Sequence, residues 1–338
     1  MVKKTTVIGF FILLGFVCLT GGSILRIVFN NIENPSIAEG AVRHIGTVEE
    51  CHFNRMKEPF LTDGYRIGYN FRDCIESAFE YNNETVNIWT HFIALLVMLG
   101  IQIYTFEFVL PARWTIHHFW NFCVYVPTVC SMTSSVLFHT FRSLNETVYA
   151  NVALFDFTFI ALSLVGNQIP HTYYALYKRP TLRKFYFALL AVLAAVGVAF
   201  CTSPSLTHPA LRVLRTLMFV VIGFYDSIIS INVLIVDHGK KDVSKRLKLN
   251  IIGAIIAGCA VPIYLFRFPE RSYPRTFDLW LNSHILMHLI CMAAEWVFCA
   301  HYIINYKAFF AENDKKKAVE EKKKVTKNAK NGKKQKKL

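Results

Sequence analysis

Two histidines stand four residues apart in Ser283-His284-Ile285-Leu286-Met287-His288. On a helix that spacing puts both imidazoles on one face, where they can grip a single metal ion. A third histidine, His139, ends the segment Ser135-Val136-Leu137-Phe138-His139, with Ser135 one turn before it on the same face. An acid, Asp156, lies in the next apolar stretch. Three neutral imidazoles leave a fourth position open on zinc, and zinc acidifies water bound there to a pKa of about 7. Asp156 is placed to orient or deprotonate that water and Ser135 to hydrogen-bond to it. A lone buried histidine is more often a hydrogen-bonded core residue than a ligand. Three at matching depth, with an acid, favour a shared ion.

The matching depth comes from the elements that carry these residues. Apolar residues make up 54% of the 338, above the roughly 45–50% of soluble domains. The excess is gathered in uncharged blocks of about twenty residues, the signature of membrane spans. Seven blocks fall near 87–108, 119–141, 149–170, 184–203, 214–237, 248–268 and 280–306. Each is long enough to cross a core of roughly 30 Å as a helix, and uninterrupted runs of this length exclude an alternating β-barrel. The expected fold is an all-α, seven-helix transmembrane bundle over 87–306. In that bundle the second span ends on the side where the third and seventh begin. His139, His284, Asp156 and His288 then lie about 3, 6, 10 and 12 Å from that edge. Intramembrane ionisable residues are costly and are functional candidates by default. Asp226 and Glu295 qualify too, as lining of a polar cavity or as partners of a nearby Ser or Tyr.

The flanks differ from the bundle. Residues 1–29 hold an apolar run behind Lys3 and Lys4, the pattern of a signal peptide or an uncleaved signal-anchor. Residues 30–86 are mixed and polar. Residues 307–338 contain 13 Lys against 4 acids, much of the chain's net charge of +14. Such a tail is expected to be disordered and solvated, with anionic lipid as one contact. It has no interleaved aromatics, which excludes nucleic acid as a partner. Lys334 and Lys336 resemble a dilysine retrieval signal read by cytosolic coat proteins, which suits the endoplasmic reticulum and Golgi, with the plasma membrane as the other location. Loops after the first, third and fifth spans carry ten basic residues against six on the other side, which places the C-terminus in the cytosol. The nine Cys show no zinc-ribbon spacing; Cys51 and Cys74, outside the spans, could pair in an oxidising lumen. His117 and His118, at a loop edge, are expected to be solvated.

Several motifs carry a resemblance. Asp63-Gly64-Tyr65-Arg66 and Asn83-Glu84-Thr85-Val86-Asn87-Ile88-Trp89-Thr90-His91, then Ser135-x-x-x-His139-x-Phe141 with Asp156, then Pro269-Glu270-Arg271-x-x-Pro274 and Ser283-His284-x-x-x-His288, occur in order. Over about 58–306 the chain resembles the progestin and adipoQ receptors, the haemolysin-III-related family. The resemblance implies a seven-helix bundle with zinc on the three histidines and the Asp and Ser beside the metal's water. It also implies receptor signalling in lipid and energy homeostasis, with a lipid, sterol or peptide ligand. Adiponectin-receptor members are associated with ceramide hydrolysis, and alkaline ceramidases arrange zinc, Ser and Asp similarly, so a ceramidase-like lipid amide hydrolase is the alternative. The sequence departs from the family where Arg275 follows Pro274, a position the family usually gives to Gly. Phe157-Thr158-Phe159 replaces an aromatic-Gly element. The charge count also opposes the cytosolic N-terminus described for adiponectin receptors.

Overall fold

A computed structural model of the chain describes residues 2–32, 42–203, 208–236 and 241–335. Ten α-helices and one small hairpin are present among them. Eight helical segments are long and apolar enough to cross a membrane, and the protein is a multi-pass, all-α membrane protein. The seven expected spans are α3 (Thr85–Tyr104, extended by a π-turn to Val109), α4 (Ile116–Phe141), α5 (Glu146–Ala175), α6 (Pro180–Cys201), the pair α7 (Arg212–Gly223) and α8 (Tyr225–Val236), α9 (Lys241–Phe266) and α10 (Ser283–Gln335). The eighth is α1 (Lys4–Asn31).

Local chemistry sets the helix starts. Asn145 caps α5 by accepting from the Val148 amide at 2.8 Å, and Pro180 opens α6 where its missing N–H costs nothing. Thr115 and His118 cap α4 reciprocally, so α4 begins three residues before the apolar run suggests. This corrects the expectation for two histidines. His118 is buried in the cap, and His117 is buried against Tyr174 and the Phe309 and Phe310 rings; neither is solvated.

The N-terminal apolar segment is a docked helix. α1 lies against α3, α4 and α5. The backbone amide of Lys3 and the Thr6 hydroxyl donate to Glu107 Oε2 at 3.0 and 2.6 Å. Thr20 donates to Cys130 Sγ at 3.2 Å, and Asn145 to the Asn31 carbonyl at 3.0 Å. At Gly9 an added Cβ would stand 2.5 Å from Phe106 Cε1, so α1 passes close against that ring.

At the other end, α10 does not stop at the membrane edge. It continues to Gln335, where a disordered tail was expected from 307. Lys, Glu and Ala are good helix formers, and pairs such as Glu312–Lys316, four residues apart at 3.3 Å, support the extension. Lys336 and the residues after it lie outside the described residues.

The polar stretch before α3 is folded over the bundle. β1 (His44–Thr47) pairs antiparallel with β2 (Asp63–Ile67), followed by α2 (Phe71–Glu76). Cys51 and Cys74 are both buried and free. Cys51 Sγ turns to the Phe53 carbonyl at 3.7 Å and Cys74 Sγ to Ser143 Oγ at 3.4 Å, so they do not form the disulfide that their location allowed. Near the start of α10, Arg275 has φ 67°, a left-handed conformation that glycine adopts at least cost.

α4 and α5 form the most intimate pair of the bundle. In lipid no hydrophobic force drives helices together, and small residues that permit close approach take over. At Gly166 an added Cβ would lie 2.0 Å from the Cys123 carbonyl oxygen. Backbone cannot yield there as a flexible side chain can. Gly166→Ala should therefore destabilise the protein by about 1–3 kcal/mol, the usual cost of overpacking. A thermal melt of the purified protein in detergent checks this; an unchanged midpoint would show that the two helices are not held at that distance.

Candidate metal centre

His139 ends α4, and His284 and His288 open α10. One ligand-capable nitrogen from each lies within 4.8 Å of the others. His139 Nε2 and His284 Nε2 are 3.4 Å apart. Two imidazole nitrogens bound tetrahedrally to one ion at 2.0–2.1 Å would be about 3.3–3.4 Å apart. The donor set is also chemically apt, since three neutral nitrogens leave a vacant coordination position and suit zinc.

The second nitrogens of two rings are occupied. Glu84, which precedes α3, holds His139 Nδ1 at 2.6 Å through Oε2. An ionised carboxylate only accepts, so Nδ1 carries the hydrogen and the Nε2 lone pair faces the other imidazoles. Thr90 Oγ1 meets His288 Nδ1 at 3.1 Å. Such partners fix the tautomer and orientation of a ligating histidine. His91 stacks on His288 at 3.8 Å between ring centroids, and Tyr264 lies 5.8 Å from the His284 ring.

A charged frame surrounds these rings. Arg142 Nη1 donates to Glu84 Oε1 at 2.8 Å. Arg142 also reaches Glu58 at 3.3 Å, and Arg267 pairs with Glu58 at 2.8 Å. Arg66 in β2 donates to the His139 and Thr140 carbonyls at 2.7 and 2.9 Å, capping the C-terminus of α4 with a cation. Burial pushes the Glu84 carboxyl up, but Arg142, His139 and Arg66 outweigh it and hold it well below the usual range. For Glu58 burial again opposes, and Arg267 and Arg142 prevail.

The start of α10 is held from two directions. Glu270 accepts from the Ser283 amide at 2.7 Å and from its hydroxyl. Asn282 Oδ1 accepts from the His284 and Ile285 amides at 3.2 and 3.0 Å. Asp278 Oδ2 then ties this loop to the hairpin, accepting from the Thr62 and Asp63 amides at 3.0 and 2.8 Å. Gly64 is required beside it: its φ is +88°, and a Cβ would stand 2.4 Å from Leu279 Cδ2.

The structure thus brings His139, His284 and His288 together. Asp156 and Ser135 are both buried, but Asp156 contributes no oxygen to the 4.8 Å cluster. Ser135 Oγ and Asp156 Oδ1 have no hydrogen-bond partner among the described residues. Glu84, Thr90, Arg66 and Arg142 went unassigned in the sequence. The available signal was an acid placed directly before a span within a dense polar motif.

Residues 79–299 match the model of the family described as "Haemolysin-III related". The chain belongs to this family, that of the progestin and adipoQ receptors. It is 26% identical to the adiponectin receptor protein of Drosophila melanogaster over 75% of this chain and 58% of that protein, so it spans little more than half of that relative's length. It is 27% identical to progestin and adipoQ receptor family member 3 of Mus musculus, over 77% of this chain and 86% of the relative. Membrane progestin receptor beta of Sus scrofa is 30% identical over 50% of this chain. The span matched by the family model, residues 79–299, includes Glu84, His139, Asp156, His284 and His288.

Removing Glu84 leaves Arg142 and the other buried cations undercompensated. Glu84→Ala should cost about 3–5 kcal/mol, as for a broken buried pair. Because the folded-state carboxyl sits well below its unfolded value, its contribution is fully present above the ordinary glutamate range and is lost progressively as pH falls from that range toward the depressed folded-state value. Thermal melts at neutral pH and at acid pH well below the ordinary glutamate range, near pH 3, check both. A variant as stable as the parent at neutral pH would show that the frame does not depend on this carboxylate.

Proposed function

We propose that this protein is a multi-pass membrane receptor of the progestin and adipoQ receptor type, with an intramembrane zinc site, acting in signalling and in lipid or membrane homeostasis. The observation that carries the reading is the convergence of three imidazoles with the second nitrogens of His139 and His288 engaged by Glu84 and Thr90. His139, His284 and His288 would hold the ion. The relatives' names, which refer to adiponectin and progestin, support a receptor role, and the ligand is a lipid, sterol or peptide.

A second reading is favoured by one specific observation. The buried Ser135 Oγ and Asp156 Oδ1 have no partners among the described residues. Unsatisfied buried polar atoms are expensive and here suit chemistry on a polar substrate. In that reading the protein hydrolyses lipid amides of the ceramide type. Zinc, when bound, supplies Lewis acidity toward water and a carbonyl. Asp156 accepts a proton from the attacking water at Oδ1 and returns it to the leaving amine, as a general base and then acid. The Ser135 hydroxyl orients the amide oxygen. The charged frame fixes α3, α4 and α10 so that these groups hold their spacing.

Metal analysis of the purified protein should give one zinc per chain, lost in the double variant His284→Ala, His288→Ala. Full zinc occupancy in the double variant would remove these histidines as ligands. For the second reading, a panel of ceramides should release sphingosine with the wild type and not with Asp156→Ala. No turnover at any acyl length with zinc intact leaves the receptor reading alone.

A further inference from the structure

Polar residues continue past the triad along the facing sides of the bundle. On α5 they fall at Asp156, Ser163, Asn167 and His171, spacings of seven and four that keep one helix face. On α10 they fall at His288, Glu295 and His301. At 1.5 Å per residue the α5 stripe covers about 22 Å of depth, and His171 lies in the last turn and a half of that helix. The stripes touch. Thr128 of α4 meets Ser163 at 2.9 Å, Asn167 donates to Glu295 at 2.9 Å, and His171 Nδ1 faces His301 Nε2 at 2.9 Å. Ionisable groups placed at successive depths across a membrane bundle mark a water or proton route.

The far end has the architecture of a relay. Ser230 of α8 lies 3.1 Å from His171 Nε2 and 3.0 Å from Asn250 Oδ1. Asn305 Nδ2 lies 2.8 Å from His301 Nε2. Ser230, Asn250, His171, His301 and Asn305 are all buried. This chain of hydrogen bonds works in either direction. With His171 Nδ1 as donor, Ser230 donates to His171 Nε2 and the Asn250 amide presents its nitrogen to Ser230. With His301 Nε2 as donor, the Asn305 amide presents its oxygen instead. Each polarity needs only one terminal amide turned. Asn167 Oδ1, Glu295 Oε1 and Asp226 Oδ1 are buried without partners among the described residues, which suits hydration along the column.

We propose that this column is a proton pathway, joining the level of the histidine triad to the opposite face of the bundle through Glu295 and the His171–His301 pair. In each passage one proton enters and one leaves. Ser230 Oγ passes its hydrogen to His171 Nε2 and takes one from a water on that face; His171 releases the proton on Nδ1 to His301 Nε2 as the ring's electron pairs shift, and His301 releases the proton on its other nitrogen to water in the column. The carboxyl of Glu295, beside Asn167, takes a proton from that water and releases one toward the level of the triad. The pathway does not depend on the zinc or receptor readings.

The full-length protein is reconstituted into phosphatidylcholine vesicles loaded with a pH-sensitive dye, with a potassium gradient and valinomycin to set the potential. Internal pH should change several-fold faster than in protein-free vesicles. Glu295→Gln keeps the shape and the hydrogen bond to Asn167 but carries no proton, and should reduce the flux to the protein-free rate. His301→Phe should do the same. Melting midpoint and gel filtration identify any variant that does not fold; if His301→Phe fails there, Glu295→Gln decides alone. Zinc content measured on the same preparations separates this test from that of the metal. Wild-type flux equal to protein-free vesicles overturns the proposal, as does undiminished flux in folded Glu295→Gln.

Discussion

The carboxylate of Glu84 is buried at the junction of α3, α4 and the hairpin. A carboxylate removed from water costs several kcal/mol unless it is paired and fully hydrogen-bonded. Its partners are therefore obligatory: His139 at 2.6 Å, Arg142 at 2.8 Å and Asn87 at 3.0 Å. Those partners stand at the end of α4 and in the first turn of α3, so satisfying one charge fixes the relative position of two membrane helices. It also sets the tautomer of His139. The orientation of the imidazole and the stability of that end of the bundle thus rest on one group.

The charged frame extends this constraint to α10. Arg142 links Glu84 to Glu58, and Glu58 links to Arg267 at the end of α9. Glu270 and Asn282 then anchor the first turn of α10, and Asp278 returns to the hairpin. Most of the polar residues in the family motifs are holders. They place backbone and rings so that three short lever arms meet within a few ångströms. Residues 42–83 accordingly act as a structural clamp over one end of the bundle.

Away from that end the bundle is held by close approach and by polar side chains inside it. Gly166 lets α5 reach the backbone of α4, and Gly9 lets α1 lie against Phe106. Lipid tails are as apolar as leucine, so the outward-facing apolar residues contribute little to association. Interior pairs such as Asn167–Glu295 and His171–His301 are specific because their alternatives in lipid are unsatisfied groups.

The sequence alone determined much of this protein. Twenty-residue apolar blocks can only be satisfied in lipid as helices, so the seven blocks were legible as helices, although α9 starts seven residues before its block and α10 runs on to Gln335. A four-residue histidine spacing survives in any helix, so His284 and His288 were readable as a pair, and helix rise alone put His139 at their depth. What failed was information that is not local. Whether residues 4–31 dock depends on Glu107 and Phe106, about a hundred residues away. His117 is buried by Phe309 and Phe310 of a distant helix. Cys51 and Cys74 were eligible to pair by location, but each thiol turned to a different neighbour. Glu84, Arg66 and Arg142 gained their roles only when the hairpin folded over the helix ends, because a charge acquires its partner from three-dimensional proximity and not from spacing along the chain. The sequence determined which rings could lie at one depth; the tertiary structure decided which nitrogen of His139 faces the other imidazoles, through the carboxylate that holds the other one.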